Sequence, residues 1–368
     1  MMRLAATPIC RDLGVRYPIF GFSHEPDVIV ALAESGGFGV LGLAREMPHE
    51  IAQIIERIEA RLAGKPYGID LMLPASVPQT AEIGGVQAQI PPAHRAFVDG
   101  LRERFGLQAP TRPTFFTTQV RSEALFNAQI DAVLASRARA VATAIGIRPD
   151  LIARARAAGK YTISLVGTPR HAQKALDLGV DAIVAQGCDA GGHTGPIGTF
   201  SLVPQIVAMA GGKPVLAAGG IGTGAQVAAS LAMGAQGAWL GTLWLAAAEN
   251  HTPPALLARL IHADSGDTTI TRAHSGKPCR VVRSEWIDAW QEAGAPDPLP
   301  MPLQQALTGA DFSAMHEYDD AKLIYEAAGQ SVFAITQPTT VAAQVSALIA
   351  EADAALQALE GAMSSTPL

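Results

Sequence analysis

Eight short apolar runs, each followed by an amphipathic stretch, constrain this chain more than any other feature. The runs are PIFGF (18–22), GFGVLG (37–42), YGIDLML (67–73), RAVATAIG (139–146), YTISLVG (161–167), DAIVAQG (181–187), PVLAAGG (214–220) and GAWLGT (237–242). Most are apolar on both faces, as strands buried in a parallel sheet are. Between them lie helical patterns such as MPHEIAQIIERIEARLAGK, TPRHAQKALDLGV and GAQVAASLAMGA. Several end in Gly-Val, Gly-Ala or Gly-Lys, a helix stop followed by re-entry into the sheet. Such alternation admits a closed eight-stranded barrel or an open doubly wound sheet. The count of eight without a sharp break predicts an α/β protein, a (β/α)8 TIM barrel with insertions after strand 3 and after strand 8.

The expectation is one barrel domain over residues 1–368. Two segments, about 74–137 and about 250–335, are too long for simple connections and read as a lid or small subdomain. A last helical pattern, TTVAAQVSALIAEADAALQALEG, is expected to pack back on the barrel. With 49% apolar and 16% charged residues, 368 residues suffice for one large core. A net charge of −6 leaves no basic footprint for nucleic acid. No apolar run is long enough to predict a membrane span. Cys10, Cys188 and Cys279 are an odd number, far apart and without zinc spacing. They point to a reducing, cytoplasmic setting and to no metal.

Two glycine-rich turns carry the first chemical signal. AAGGIGTGAQVAA (217–229) nearly matches a dinucleotide fingerprint, with Gly220, Gly222 and Ala225 in the three positions. The acid that should follow about 20 residues on is missing, since AWLGTLW stands there. Barrels often hold phosphates at the loops after strands 7 and 8. Here those loops offer backbone N–H groups of Gly219, Gly220, Ile221 and Gly222, and of Gly241 and Thr242. Glycine permits close approach, and a helix N-terminus adds positive charge. Plain turn chemistry without a ligand is the alternative.

The loop AQGCDAGGHTG (185–195) follows the sixth strand and reaches the same face. His193 stands behind Gly191 and Gly192, so its ring has little steric hindrance. Asp189, four residues earlier, is a candidate to orient it. A histidine near pKa 6.5 can act as a base at neutral pH; a satisfied turn histidine is the alternative.

These motifs, with LGVRYPIF and ALAESGGFGVLG near the start, GKPYGIDLMLP, and AGQSVFAITQPTTVAAQVSALIAE near the end, resemble the nitronate monooxygenase (2-nitropropane dioxygenase-like) family of FMN-dependent barrels. The resemblance covers most of the barrel and leaves 74–137 and 250–320 poorly covered. Flavin enoyl-ACP reductases carry a motif similar to the His193 loop. The resemblance implies a bound FMN with its phosphate on Gly220, Gly241 and Thr242 and contacts from Trp239 and Leu240. It places Gln186 and Gly191 against the flavin, and makes His193 the catalytic base or substrate-orienting group. It sets Gly21, Phe22 and Ser23 beside the ring system, and the small-molecule substrate and O2 as partners. A homodimer is left open.

Two positions depart from the family pattern. GFSH stands where Gln-Ala-Pro-Met is frequent, bringing Ser23 and His24 to the first strand's end, with His24 a candidate substrate contact. Asp70 stands where Asn is frequent. An ionised Asp70 near the pyrimidine ring would repel an anionic reduced flavin by about 4 kcal/mol at ~4 Å and an effective dielectric near ~20. Asp70 is therefore expected to be protonated, paired with His24, or bonded to flavin N3–H; a strand-end cap is the alternative.

The basic run SGKPCRVVR reads as a solvated strand rather than an anion clamp, and Trp286 and Trp290 read as core. The resulting expectation is an FMN-dependent oxidoreductase oxidising alkyl nitronates with O2. The alternatives are an NAD(P)H-dependent flavin reductase for a quinone or enoyl thioester, a flavin-free phosphosugar isomerase or lyase, and a non-catalytic flavin-binding barrel.

Overall fold

The computed structural model describes residues 4, 7–43, 45–72, 82–119 and 122–364. Its strands in chain order are β1 (Ile19–Ser23), β2 (Phe38–Gly42), β3 (Gly68–Met72), β4 (Ala140–Ala144), β5 (Tyr161–Val166), β6 (Ala182–Gln186), β7 (Gly192–His193), β8 (Val215–Ala218), β9 (Gly237–Leu240), β10 (Thr268–Thr271) and β11 (Cys279–Val282). Strands β1–β6, β8 and β9 form a closed parallel barrel. Closure is made by β9 on β1, in the register Ile19↔Ala238 and Gly21↔Leu240. This is the (β/α)8 barrel that the eight apolar runs predict. From β3 on the observed strands stop short of the runs, because the final residues of those runs already turn into the mouth, whereas β1 ends one residue beyond its run and β2 ends with its run.

Alternation along each strand sorts the side chains. Phe20, Phe38, Val40, Ala142, Ile163, Val184, Leu216 and Trp239 fill the interior as one cluster. Leu41, Ile69, Leu71 and Val141 point outward, onto the helices. Near the mouth the inward positions turn small (Gly42, Ala142, Ala218), and the space beside Gly42 is taken by the rings of Phe22 and His24. The opposite end is plugged by the helix Pro8–Leu13, whose Ile9 and Leu13 join the interior cluster. The Ile9 N–H donates to Gln236 Oε1 at 3.1 Å and fixes the plug on the strand that starts at Gly237. Proline opens many of the helices (Pro8, Pro26, Pro48, Pro149, Pro169), where its missing N–H costs nothing.

The segment after β3 carries helices Ile83–Ala88, Pro92–Phe105, Phe115–Thr118 and Glu123–Leu134. Residues 73–81, 120 and 121 of that region lie outside the described residues. The last of these helices is part of the barrel's outer layer. Its Phe126, Ile130 and Val133 pack with Ile51, Ile55 and Leu71. The segment after β9 supplies β10 and β11, the helices Pro254–His262, Glu285–Ala289 and Leu303–Glu317, and 3-10 turns. Its strands form a small antiparallel sheet of order β10-β11-β7, so it is anchored on the loop that carries His193. The C-terminal helix Val341–Ser364 lies against the helix Gly224–Ala232 so closely that a Cβ on Gly224 would stand 2.2 Å from the Leu348 carbonyl oxygen.

Phe126 is 2% exposed between helix and strand. Phe126→Ala is expected to cost about 3–5 kcal/mol of unfolding free energy, read by urea denaturation.

Candidate functional site

The mouth lies at the carboxyl ends of the barrel strands, and the register decides which side chains enter it. Ala218 pairs with Trp239, so Gly220 and Gly241, each two residues further on, are neighbours on adjacent loops. Gly219 and Gly220 have φ of 105° and 69°, a region open to glycine and strained for other residues. Among the described residues, no hydrogen bond within the chain engages the N–H groups of Gly220, Ile221, Gly241 or Thr242. A Cβ on Gly241 would meet nothing nearer than the Phe22 carbonyl at 3.9 Å. Four backbone donors on adjacent loops, with open space beside Gly241, can together take an anion.

The helix behind the cradle contributes less than the sequence implies. The Gly222 and Thr223 N–H groups donate to Gln226 Oε1 at 2.7 and 3.1 Å. The Gly224 N–H donates to Glu351 Oε2 at 2.7 Å. A carboxylate from the C-terminal helix thus occupies the helix end, and Gly222 drops out of the cradle. Thr242 Oγ1 accepts from the Gly329 N–H at 2.9 Å and keeps its own hydroxyl hydrogen to donate.

His193 is held from three sides. Its backbone pairs with Cys279 across the β7–β11 ladder. Its carbonyl accepts from Gln186 Nε2 at 3.0 Å, and its Nε2 lies 2.7 Å from Ser275 Oγ. Asp189 does not orient the ring. Its Oδ2 accepts from the Thr199 N–H at 2.6 Å, because the glycines turn the loop so that Asp189 faces the start of the next helix. Residues 328–330 strap the mouth: the Gln330 N–H donates to the Asp189 carbonyl at 2.8 Å while Gly329 reaches Thr242.

The segment after β9 roofs the mouth with an aromatic and charged cluster. The rings of His193 and His274 are 6.4 Å apart. His274 Nδ1 is 3.3 Å from the Tyr325 hydroxyl, and Phe312 lies 5.2 Å from His274 and 5.3 Å from Tyr325. The Arg45 guanidinium stands 5.4 Å from the Phe312 ring centre. Burial, then Arg45, pull His274 down to about 4. Burial alone would raise Glu326, but His316 and Arg45 more than offset it and hold its carboxyl below the usual range.

Each sequence-derived residue has a definite place. Phe22 and Trp239 face inward with rings stacked at 6.5 Å. Asp70 faces inward beside Gly42, is 5% exposed, and its Oδ1 has no hydrogen-bond partner. Burial pushes it up to about 7. The expected His24–Asp70 pair is not formed. His24 Nδ1 instead lies 2.8 Å from the Gly42 carbonyl, and its ring sits where a Cβ on Gly42 would be, 2.8 Å from His24 Cε1. Burial, then Arg45, lower His24, which keeps it neutral.

Gly21 and Leu240 point to the outer layer by strand alternation: a Cβ on Gly21 would stand 2.3 Å from Leu32, and Leu240 belongs to the outer core. Only their backbones border the mouth. The Ser23 hydroxyl is committed to Asn250 and the Glu25 N–H. Gly191 lies under the strap, where a Cβ would be 2.7 Å from the Gly329 nitrogen. Arg280 is not solvated: it is 8% exposed and donates to the Cys188 carbonyl at 2.8 Å and to Thr268 Oγ1 at 3.0 Å. Trp286 and Trp290 are core. Ser275, His274, Tyr325, Glu326 and Arg45 escaped the sequence reading. AHSGKP adjoins the basic run, yet no local pattern brings it to a residue 82 positions away.

An eight-stranded barrel with an amide cradle and a roofed histidine at one mouth is the frame of a small-molecule enzyme. The family model described as nitronate monooxygenase matches residues 12–351. The chain belongs to that family and is an oxidoreductase of that kind. The Mycobacterium tuberculosis protein Rv1533, provisionally named a monooxygenase, is 41% identical over 333 residues, 88% of this chain and 86% of that one. A Staphylococcus aureus protein provisionally named nitronate monooxygenase is 30% identical over 87% of this chain and 90% of its own. The structure of a nitroalkane oxidase from Streptomyces ansochromogenes aligns over 95% of this chain and 99% of its own, with TM-score 0.78 and 29% identity. No helix of the described residues is long and apolar enough to cross a membrane.

His274 bears on stability through pH. With the folded value near 4 and the unfolded one at 6.5, the unfolded state binds more protons between these limits. Its neutral burial is fully tolerated above pH 6.5 and becomes a penalty as pH falls toward 4. Between pH 7 and 4 the wild type is expected to lose on the order of 3 kcal/mol more than His274→Gln, measured by denaturation at each pH.

Proposed function

We propose that this chain is an FMN-dependent oxidoreductase that oxidises alkyl nitronates, and nitroalkanes deprotonated on the enzyme, with O2. The observation that carries the reading is that a four-donor amide cradle and His193 share one roofed mouth in a member of the nitronate monooxygenase family. The nitroalkane oxidase likeness supports the substrate class.

The residues fit FMN. Gly220, Ile221, Gly241 and Thr242 would hold its phosphate by backbone N–H groups, with the Thr242 hydroxyl as a further donor. Phe22, Trp239 and Gln186 border the ring system, and the unpartnered Asp70 Oδ1 offers a polar atom to its edge. Bound there, the flavin supplies the electron acceptance and the reduction of O2. The rest belongs to the protein. His193 takes the α-proton of a neutral nitroalkane onto its imidazole, and the C–H electron pair moves toward the nitro oxygens. Ser275 keeps the ring in place through Nε2. The roof of Phe312, Tyr325 and His274 limits water, which strengthens each polar contact below it. The free thiols of Cys10, Cys188 and Cys279 suit a cytoplasmic setting.

The experiment is anaerobic addition of a nitronate, and separately of NADH, to the FMN-loaded protein. Bleaching by nitronate alone supports the reading; bleaching by NADH alone replaces it with a flavin reductase. His193→Asn is expected to keep FMN and to lose about 10²–10⁴-fold in turnover of a neutral nitroalkane, with preformed nitronate much less affected. Equal turnover of both substrates by the variant would remove the base assignment. Ser275→Ala is expected to lower kcat by about tenfold with KM little changed, the effect of losing about 1.4 kcal/mol of orientation. A displaced acid limb in its pH–rate profile, at unchanged FMN affinity, separates positioning from misfolding.

A further inference from the structure

Asp70 carries an inference that rests on the flavin reading and goes beyond it. Its carboxyl sits on the inward face of β3, in the layer immediately below the mouth. On one side β2 presents Gly42, and on the other β4 presents Ala142. Neither brings a charge or a donor. Beyond Gly42 stand the rings of Phe22, which is apolar, and His24, whose Nδ1 is committed to the Gly42 carbonyl. Arg45 and Glu326 act on His24 and on the roof, and burial is the single influence on Asp70. Among the described residues no cation stands beside this carboxylate and nothing bonds its Oδ1, which is costly in an apolar interior, and the cheap alternative is to hold a proton.

We infer that Asp70 is the site's redox-linked proton acceptor: a carboxyl that takes up one proton from solvent when the flavin over it gains negative charge. The balance is simple. A two-electron donor reduces the flavin, one proton goes to the flavin itself, and one proton from water goes to Asp70 Oδ. No bond in the protein breaks, and the only bond lost is the O–H bond of the donor water or hydronium. At a pH where Asp70 already holds its proton, reduction needs no second one. Above that point, charge on the flavin and charge on Asp70 exclude each other, and proton uptake relieves the conflict. An asparagine at this position carries no exchangeable charge and cannot do this.

By linkage, the wild type's affinity for reduced FMN relative to oxidised FMN is expected to fall about tenfold per pH unit above roughly pH 7. In Asp70→Asn that ratio stays flat with pH. The measurement is the midpoint potential of the FMN-loaded protein, titrated with dithionite from pH 6 to 9, combined with oxidised-FMN affinity from fluorescence. A reduced-minus-oxidised infrared difference spectrum at pH 8 gives a second readout: a protonated-carboxyl band that grows in the wild type and is missing in Asp70→Asn. Parallel pH slopes in the two proteins, with FMN bound to both, overturn the role of Asp70 and leave the flavin reading standing. Failure of the wild type to bind FMN at all overturns both.

Discussion

Closing eight parallel strands into a barrel obliges every strand to end at the same rim, and the site follows from that constraint. Inside the barrel, ladder bonds satisfy the backbone. At the rim they stop, and each loop must satisfy its own N–H groups or offer them outward. The loop after β8 does both, since Gly222 and Thr223 turn inward to Gln226 whereas Gly220 and Ile221 do not. Neighbouring Gly241 and Thr242, just past β9, complete an outward-facing set. The cradle is thus a consequence of where the register lets the ladder end, with positive φ at Gly219 and Gly220 making the turn tolerable.

The segment after β9 converts an open rim into an enclosed site. Its strand β11 adds itself to the two residues Gly192–His193 and so fixes the histidine's backbone by sheet pairing. The same segment brings Ser275 under the ring and Gly329 under Thr242. One insertion therefore aims the histidine, straps the anion loop and supplies the roof. Arg280, whose buried guanidinium holds the Cys188 carbonyl, ties the strand to the loop from behind.

At the mouth, desolvation favours the neutral forms of the half-buried His274 and the buried Asp70, and acts in the same direction on His24 at the rim. Burial lowers His24 and His274 and raises Asp70, and Arg45 adds to the effect on both histidines. In the roof, His316 and then Arg45 lower the Glu326 carboxyl.

Much of this was legible in order along the chain. Strand alternation, helix stops and the two glycine turns all operate within a few residues, and they placed β1–β6, β8, β9 and the His193 loop. They also contained the side-chain parity that sends Gly21 and Leu240 to the outer layer, a rule readable from the alternation itself. The chain could not announce that Ser275 would meet His193, that His24 would choose the Gly42 carbonyl over Asp70, or that Glu351 would fill the helix end expected to serve an anion. Those contacts join segments from 18 to 127 positions apart. Periodicity records only neighbours in sequence. Which distant groups share a hydrogen bond, and which buried carboxyl is left without one, is settled when the barrel closes and the insertions pack over its rim.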